Sequence, residues 1–112
     1  LGKIIEVNNL NTKRDYLYID DLINAIIKSM EYQGKKKLFN IGFGKSYSVE
    51  EVIYIIQSIY KTNQPINNLN LQRKLEIGNT LADISLSKSE LDWEPKISFE
   101  DGIKKIKDLT NS

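Results

Sequence analysis

The sequence contains no cysteine and no histidine among its 112 residues. Without cysteine there is no disulfide framework, no thiol nucleophile and no thiolate metal site, a composition that fits a cytoplasmic protein. Without histidine, the chain lacks the commonest general base and the best zinc ligand. No apolar run approaches the roughly 20 residues that cross a bilayer, and no signal-peptide pattern opens the chain. These absences predict a cytoplasmic protein that binds no metal.

Neither positive nor negative charge is in large excess. Sixteen Lys and Arg stand against fifteen Asp and Glu, which leaves a net charge of +1. No strong field therefore points to a nucleic acid or a membrane as the partner. The length predicts a single domain over residues 1–112, with one modest core. The first residue is Leu1 and not Met, which favours a piece excised from a longer protein.

Short apolar segments alternate with helical patterns, and this alternation predicts an α/β (α+β) unit with a small mixed sheet and about four helices. Residues 62–73 are rich in Asn and Gln and are predicted to be loop. The predicted strands are Lys3–Val7, Tyr16–Ile19, Lys37–Ile41 and Leu81–Ile84.

Four helix starts are predicted from capping residues. Asp20 or Asp21 should cap the first helix, which runs through Met30 or Tyr32. This helix is apolar around most of its circumference, so we expect it to be buried on two sides. The other predicted starts are a Ser48/Glu51 capping box for a helix to about Tyr60, Ser87 with Glu90 for a short helix ending near Trp93, and Ser98 with Asp101 for the last helix.

Three short motifs resemble catalytic or cofactor sequences without meeting their requirements. Gly44–Ser46 lacks the glycine that a P-loop needs five residues earlier, and Gly42–Gly44 lacks the third glycine of a dinucleotide loop. Tyr32 and Lys36 have Tyr-x-x-x-Lys spacing, but Gly34 interrupts the helix between them. The chain is therefore predicted to contain no catalytic residue and no cofactor-binding residue of its own.

Arg14 is the strongest candidate for binding a ligand. Its guanidinium offers a planar fork of donors that matches phosphate oxygens. The alternative is an ion pair with Asp15, Asp20 or Asp21, which are close in sequence. Arg73 is the second of only two arginines among the sixteen basic residues, which suggests that planar recognition matters at both positions.

The order of three segments carries a family resemblance. RDYLYIDDL at 14–22, FNIGFGKSYSVEE at 39–51 and ADISLSKSELDWEPKISFEDGIKK at 82–105 follow one another with fixed spacing. Together they resemble the C-terminal part of the extended short-chain dehydrogenase/reductases, the nucleotide-sugar epimerases and dehydratases. The second and third segments are the most specific.

The resemblance implies a fold and a set of roles. In the family, the catalytic Ser/Thr, Tyr and Lys and the NAD(P) loop lie upstream in a Rossmann domain, and the C-terminal region covers the nucleotide-sugar. Arg14 and Arg73 would contact the diphosphate, Glu76 the ribose hydroxyls and Ser48 the nucleotide. The chain departs from the family pattern at Leu75 and Asp92, where glycines are usual.

We therefore expect a substrate-binding portion that is not catalytic alone and lacks the Rossmann half. Its implied partners are a nucleoside-diphosphate sugar, that missing N-terminal Rossmann domain and, in a homodimer, a second copy of the chain. NAD(P) would belong to the full-length enzyme. The alternative is a stand-alone binding or dimerisation module without enzymatic activity.

Overall fold

The computed structural model describes residues 3–71 and 78–111. Within these ranges, four helices and two separate two-stranded sheets confirm the predicted α/β class with about four helices. Strand β1 pairs in parallel with β4, and β2 pairs antiparallel with β3. In chain order the elements are β1 (Ile5–Val7), β2 (Lys13–Asp15), α1 (Ile19–Glu31), β3 (Ser46–Ser48), α2 (Val49–Tyr60), β4 (Ile66–Asn68), α3 (Ser85–Leu91) and α4 (Phe99–Thr110).

Several strand predictions were wrong because strand pairing depends on distant segments. The strand predicted at Tyr16–Ile19 lies earlier, at Lys13–Asp15, where β3 supplies the hydrogen-bonding partner. Lys37–Ile41 and Leu81–Ile84 form no strand, since no described segment pairs with them. Conversely, part of the loop predicted at 62–73 is β4, because Ile66–Asn68 pairs in register with β1.

Helix starts that depend on local capping were predicted correctly. Ser48 and Glu51 form the full capping box of α2: the Ser48 hydroxyl accepts the Glu51 N–H at 3.1 Å, and the Glu51 carboxylate accepts the Ser48 N–H at 2.9 Å. The Ser98 hydroxyl accepts the Asp101 N–H at 3.1 Å and begins α4. Each cap is worth about 1 kcal/mol.

The other two helices begin differently from the prediction. Tyr18 is the N-cap of α1 and makes no side-chain cap, so the predicted capping by Asp20 or Asp21 was wrong. Helix α3 begins at Ser85, two residues before the predicted Ser87, after the Asp83 carboxylate accepts the Ser85 N–H. It ends at Leu91, and Asp92 then adopts a left-handed conformation with φ of 52°, which glycine adopts most easily.

Asp21 connects α1 to the segment between α3 and α4. Its side chain is only 2% exposed, and one carboxylate oxygen accepts the backbone N–H groups of Lys96 and Ile97 at 3.1 and 3.0 Å. The Asp21 carbonyl accepts the Trp93 indole N–H at 3.0 Å. Trp93 then packs in the small core with Ala25, Ile84 and Leu91.

The opposite face of α1 is open. Ile23, Ile26, Ile27 and Met30 are 46%, 50%, 48% and 78% exposed, so the predicted burial on a second side is not met within the described residues. The Cα radius of gyration is 16.9 Å, whereas a compact chain of this length has about 13 Å. The unit is therefore flatter and less enclosed than an ordinary small domain.

We predict that Asp21→Ala lowers the free energy of unfolding by about 2–4 kcal/mol, because it removes a buried carboxylate and leaves two part-buried N–H groups without their acceptor. The exposed neighbour Asp20, in the same first turn of α1, is the matched control. Asp20→Ala loses only a favourable dipole contact of about 0.3–1 kcal/mol. Urea titration followed by circular dichroism measures both. Equal losses in the two variants would contradict the role of Asp21.

Candidate functional site

Arg14 lies in the middle of β2, directly opposite Tyr47 of β3. Directly opposed residues of an antiparallel pair present their side chains on the same face. The Arg14 side chain is half-buried, and its Nη1 donates to the Lys13 carbonyl at 2.7 Å. The short β2–β3 pair thus places Arg14 and Tyr47 on one face of the sheet.

Asp15 anchors this strand to two distant segments. Its Oδ1 accepts the Phe43 N–H at 2.7 Å, and its Oδ2 accepts the N–H groups of Gly44 at 2.9 Å and Ala82 at 3.2 Å. Asp15 and Asp21, considered from the sequence as ion-pair partners of Arg14, therefore have backbone donors that account for their presence. The sequence did not predict these hydrogen bonds of Asp15, although it does show an acid next to Arg14 and a later turn with two glycines.

The glycines of the 42–44 turn make this close approach possible. A Cβ added to Gly42 would lie 2.5 Å from the Cβ of Ala82 and 3.0 Å from Oδ2 of Asp15. Gly44 has a left-handed φ of 86°, which disfavours any other residue. Because the Phe43 and Gly44 N–H groups donate to Asp15, this turn is not arranged as a cradle for a dinucleotide phosphate.

Aromatic rings form the base of the site. Tyr47 is 6% exposed, and its ring centroid lies 5.0 Å from that of Phe99. Phe99 also meets Tyr16 edge-on at 5.5 Å. The Nζ of Lys45 lies 5.0 Å from the centre of the Tyr47 ring. Tyr47 is therefore a buried core residue, and its contact with Lys45 was not predicted from the sequence.

Ser48 lies next to Arg14's partner on β3, but its hydroxyl and its N–H both take part in the capping box with Glu51. The Ser48 backbone N–H, the Ser48 hydroxyl and the nearby charges of Lys13 and Lys45 together lower the pKa of Glu51. Any contact of Ser48 with a ligand would therefore have to coexist with its role as a cap.

Arg73 and Glu76 lie outside the described residues, so their predicted roles remain predictions. The residues on either side of that segment are described. The Leu71 N–H donates to the Asn8 carbonyl at 2.6 Å. Farther along, Gly78 accepts the Lys13 N–H at 2.8 Å, and the Thr80 N–H donates to the Lys13 carbonyl at 3.0 Å. The chain therefore returns beside the immediate neighbour of Arg14.

Other features of the described residues do not add chemistry to this site. Tyr32 follows the end of α1 as its C-cap, and its hydroxyl accepts the backbone N–H of Lys36, so the two residues do not share a helix face. Over residues 3–71 and 78–111 there is no cluster of three or more potential metal ligands. In the same ranges no helix has the length and apolarity that would cross a bilayer.

A separate crevice lies elsewhere. It encloses about 530 Å³ between α1 and α3, and none of the predicted site residues lines it. Its walls carry Lys28, Lys88 and Lys96 together with Asp92 and Glu94, so charges of both signs are present. The β2–β3 face, which holds Arg14, remains the better candidate site.

Comparison with known families decides the assignment. A family model described as GDP-mannose 4,6 dehydratase matches residues 1–106 of the chain. The chain belongs to the extended short-chain dehydrogenase/reductase family of nucleotide-sugar epimerases and dehydratases. The resemblance inferred from the three sequence segments is thereby confirmed.

Curated relatives of this family member include enzymes with different nucleotides in their names. A dTDP-4-dehydro-6-deoxyglucose reductase of Escherichia coli is 33% identical over 101 residues, covering 89% of this chain and 31% of the relative. A UDP-glucuronate 4-epimerase of Thermodesulfobacterium geofontis is 37% identical over 93 residues, covering 82% of this chain and 28% of the relative. The chain spans about a third of the length of these relatives.

Solved structures show the same fold. A UDP-glucuronic acid 4-epimerase from Bacillus cereus, in complex with UDP-glucuronic acid and NAD, matches with a TM-score of 0.83 and 27% identity, covering 96% of this chain and 36% of that one. A dTDP-glucose 4,6-dehydratase from Bacillus anthracis, in complex with NAD, matches with a TM-score of 0.84 at 22% identity, covering 98% and 35%. The latter likeness concerns the fold alone.

We predict that Gly42→Ala destabilises the family member by about 1–3 kcal/mol, because the added methyl overlaps Ala82 and displaces the Asp15 anchor. Gly78 is the matched control, since a Cβ there meets nothing within 4 Å. Gly78→Ala should leave stability unchanged or raise it by about 0.4–1 kcal/mol. Thermal unfolding of both variants tests this. A Gly42→Ala protein as stable as the Gly78→Ala protein would refute the close packing.

Proposed function

We propose that residues 1–112 form one domain, the C-terminal, substrate-binding portion of a nucleotide-sugar epimerase or dehydratase. The observation that carries the proposal is the setting of Arg14 in a member of this family. A half-buried guanidinium stands on a strand whose next residue, Asp15, is anchored by three backbone hydrogen bonds. Arg14 is proposed to bind the diphosphate of the nucleotide-sugar.

The chemistry of the guanidinium supports this role. Arg14 offers several N–H donors in one plane, and charge-assisted bonds to phosphate oxygens are worth about 1.5–3 kcal/mol each. A fixed strand reduces the entropy lost when the substrate binds, which helps to place the sugar for reaction. The B. cereus epimerase, 27% identical to this chain, is described with a UDP-sugar and NAD, which makes a nucleoside diphosphate the natural ligand class.

Arg73, Glu76 and Ser48 complete the proposed set. Arg73 would bind the same diphosphate, Glu76 the ribose hydroxyls and Ser48 the nucleotide. The return of the chain to Lys13 at Gly78 and Thr80 supports a site that draws on the segment preceding Gly78. Because Ser48 already caps α2, its contribution would be limited to an additional hydrogen bond.

The redox cofactor is assigned to another part of the protein. The 42–44 turn does not fit a dinucleotide, because its N–H groups donate to Asp15. We therefore propose that NAD(P) and the catalytic groups belong to an upstream Rossmann domain, and that the 112-residue chain alone turns over no NAD. The open apolar face of α1, formed by Ile23, Ile26, Ile27 and Met30, is the surface that this domain would cover.

We predict that Arg14→Ala in the complete enzyme raises KM for its nucleotide-sugar by about 10- to 100-fold, since one or more charge-assisted bonds are lost. Arg14→Lys should recover only part of this loss, because an ammonium lacks the planar fork. Calorimetric titration with UDP and dTDP would report the same loss in affinity, whereas binding of uridine or thymidine would change little. Unchanged diphosphate affinity in a folded Arg14→Ala protein would refute the proposal.

The alternative is a stand-alone module that dimerises through α1. The observation in its favour is the same open face, whose apolar residues recur at helical spacing on one side of α1. This alternative expects a discrete dimer with a sealed interface. The enzyme proposal expects the separate chain to associate without a fixed stoichiometry, because that face is shaped for a different partner.

Substitution of Ile23 and Ile27 by lysine separates these possibilities. In the complete enzyme, we expect the double substitution to lower the melting temperature by several degrees, since it buries two charges at the covered face. Tyr54→Lys is the control, because Tyr54 is 72% exposed on α2. Sedimentation of the separate chain supplies the second measurement. A defined dimer that the double substitution converts to a folded monomer would favour the dimerisation module instead.

A further inference from the structure

Lys45 stands at the edge of the proposed phosphate site. It follows Gly44, whose left-handed φ of 86° ends the turn, and it precedes β3. Its side chain is exposed, and its Nζ lies 5.0 Å from the centre of the Tyr47 ring. This contact shows that the Lys45 side chain extends along the face on which Tyr47 lies.

Arg14 shares that face. Arg14 and Tyr47 are directly opposed in the antiparallel pair, so their side chains project to the same side of the sheet. Lys45 is two residues from Tyr47, which places it diagonally across from Arg14. The Cα atoms of such diagonal neighbours are about 7–8 Å apart, within reach of two long cationic side chains. Arg14 and Lys45 therefore lie on the same face as Tyr47, and Lys45 contacts the ring of this tyrosine.

The Tyr47 ring, which Lys45 contacts, is fixed in place. Tyr47 is 6% exposed and packs on Phe99 at 5.0 Å between centroids. A cation resting on a held aromatic face is partly oriented before any ligand arrives. Less side-chain freedom is then lost when the ammonium meets an anion, so more of the interaction contributes to affinity.

The acids around Lys45 are engaged with the backbone. Asp15 accepts the N–H groups of Phe43, Gly44 and Ala82. Glu51 accepts the Ser48 N–H at 2.9 Å, although the charge of Lys45 still contributes to lowering the pKa of this carboxyl. The charge of Lys45 therefore acts on one carboxylate that caps a helix, and the Lys45 residue itself is exposed.

We propose that Lys45 is a specificity-determining ligand that binds the same diphosphate as Arg14 and discriminates a nucleoside diphosphate from a monophosphate. Arg14 can bind the oxygens of one phosphate group, and Lys45, at the diagonal position, adds a further cation that would contact the second phosphate of a diphosphate. Lysine suits this position because its ammonium is a point charge on a flexible stem, which complements the planar fork of Arg14. This inference rests on the proposed function.

The test uses the complete enzyme and two pairs of probes, UDP with UMP and dTDP with dTMP. Lys45→Met keeps an unbranched side chain on the Tyr47 ring and removes the charge. We expect it to weaken diphosphate binding by roughly tenfold and monophosphate binding by less than about threefold, because one charge-assisted bond is lost only with the diphosphate. Lys45→Arg should restore the preference. Lys105→Met, at an exposed position of α4, is the control for loss of one positive charge.

The outcomes separate this inference from the proposed function. If Arg14→Ala weakens UDP or dTDP binding but Lys45→Met equals the Lys105→Met control, the inference about Lys45 fails and the proposed function stands. If Lys45→Met weakens mono- and diphosphate equally while lowering the melting temperature, Lys45 is only structural and the inference is overturned. If the unmodified enzyme binds neither diphosphate, the proposed function fails as well.

Discussion

The acceptance of three backbone N–H groups by Asp15 is the constraint on which the candidate site depends. The carboxylate joins β2 to the 42–44 turn and to Ala82, segments that are 28 to 67 residues away along the chain. Hydrogen bonds to an ionised carboxylate are shorter and stronger than neutral ones, and three of them fix the strand in position and in rotation. Arg14 inherits that fixed orientation because it is the adjacent residue.

Asp21, six residues later, anchors the chain in the same way through hydrogen bonds to distant backbone groups. Its carboxylate accepts hydrogen bonds from the N–H groups of Lys96 and Ile97, and its backbone carbonyl accepts one from the Trp93 indole N–H. The segment from Arg14 to Asp21 is therefore held by two aspartates, one next to the sheet residue Arg14 and one beside the core residue Trp93. This explains how short strands and a small core hold an ordered surface: polar contacts at two aspartates replace much of the packing that a larger domain would provide.

Features that depend on neighbouring residues could be predicted from the sequence, and features that depend on distant ones could not. The Ser48/Glu51 capping box and the Ser98 cap are local, and both were predicted correctly. Asp20 and Asp21 have the same local signature as a cap, but Asp21 is drawn to Lys96 and Ile97, which no local rule could reveal. The strand at Tyr16–Ile19 failed similarly, because β3 pairs three residues earlier. Arg14 could be proposed from the sequence because arginine is rare in this chain. Lys45 could not, because it is one of many lysines and its contact with Tyr47 depends on the fold.

The two surfaces of interest are connected through a very short stretch of chain. Only Tyr16, Leu17 and Tyr18 separate β2, which carries Arg14, from α1, which carries the open apolar face. A helix that buries its second face becomes fixed relative to its partner, and the strand joined to it by three residues is fixed as well. Under the proposed function, docking of the upstream domain on α1 would therefore set the distance between Arg14 and the catalytic groups. Association of the two parts and positioning of the diphosphate would then be one process, because under that proposal a nucleotide-sugar bound by Arg14 would react only when α1 is covered.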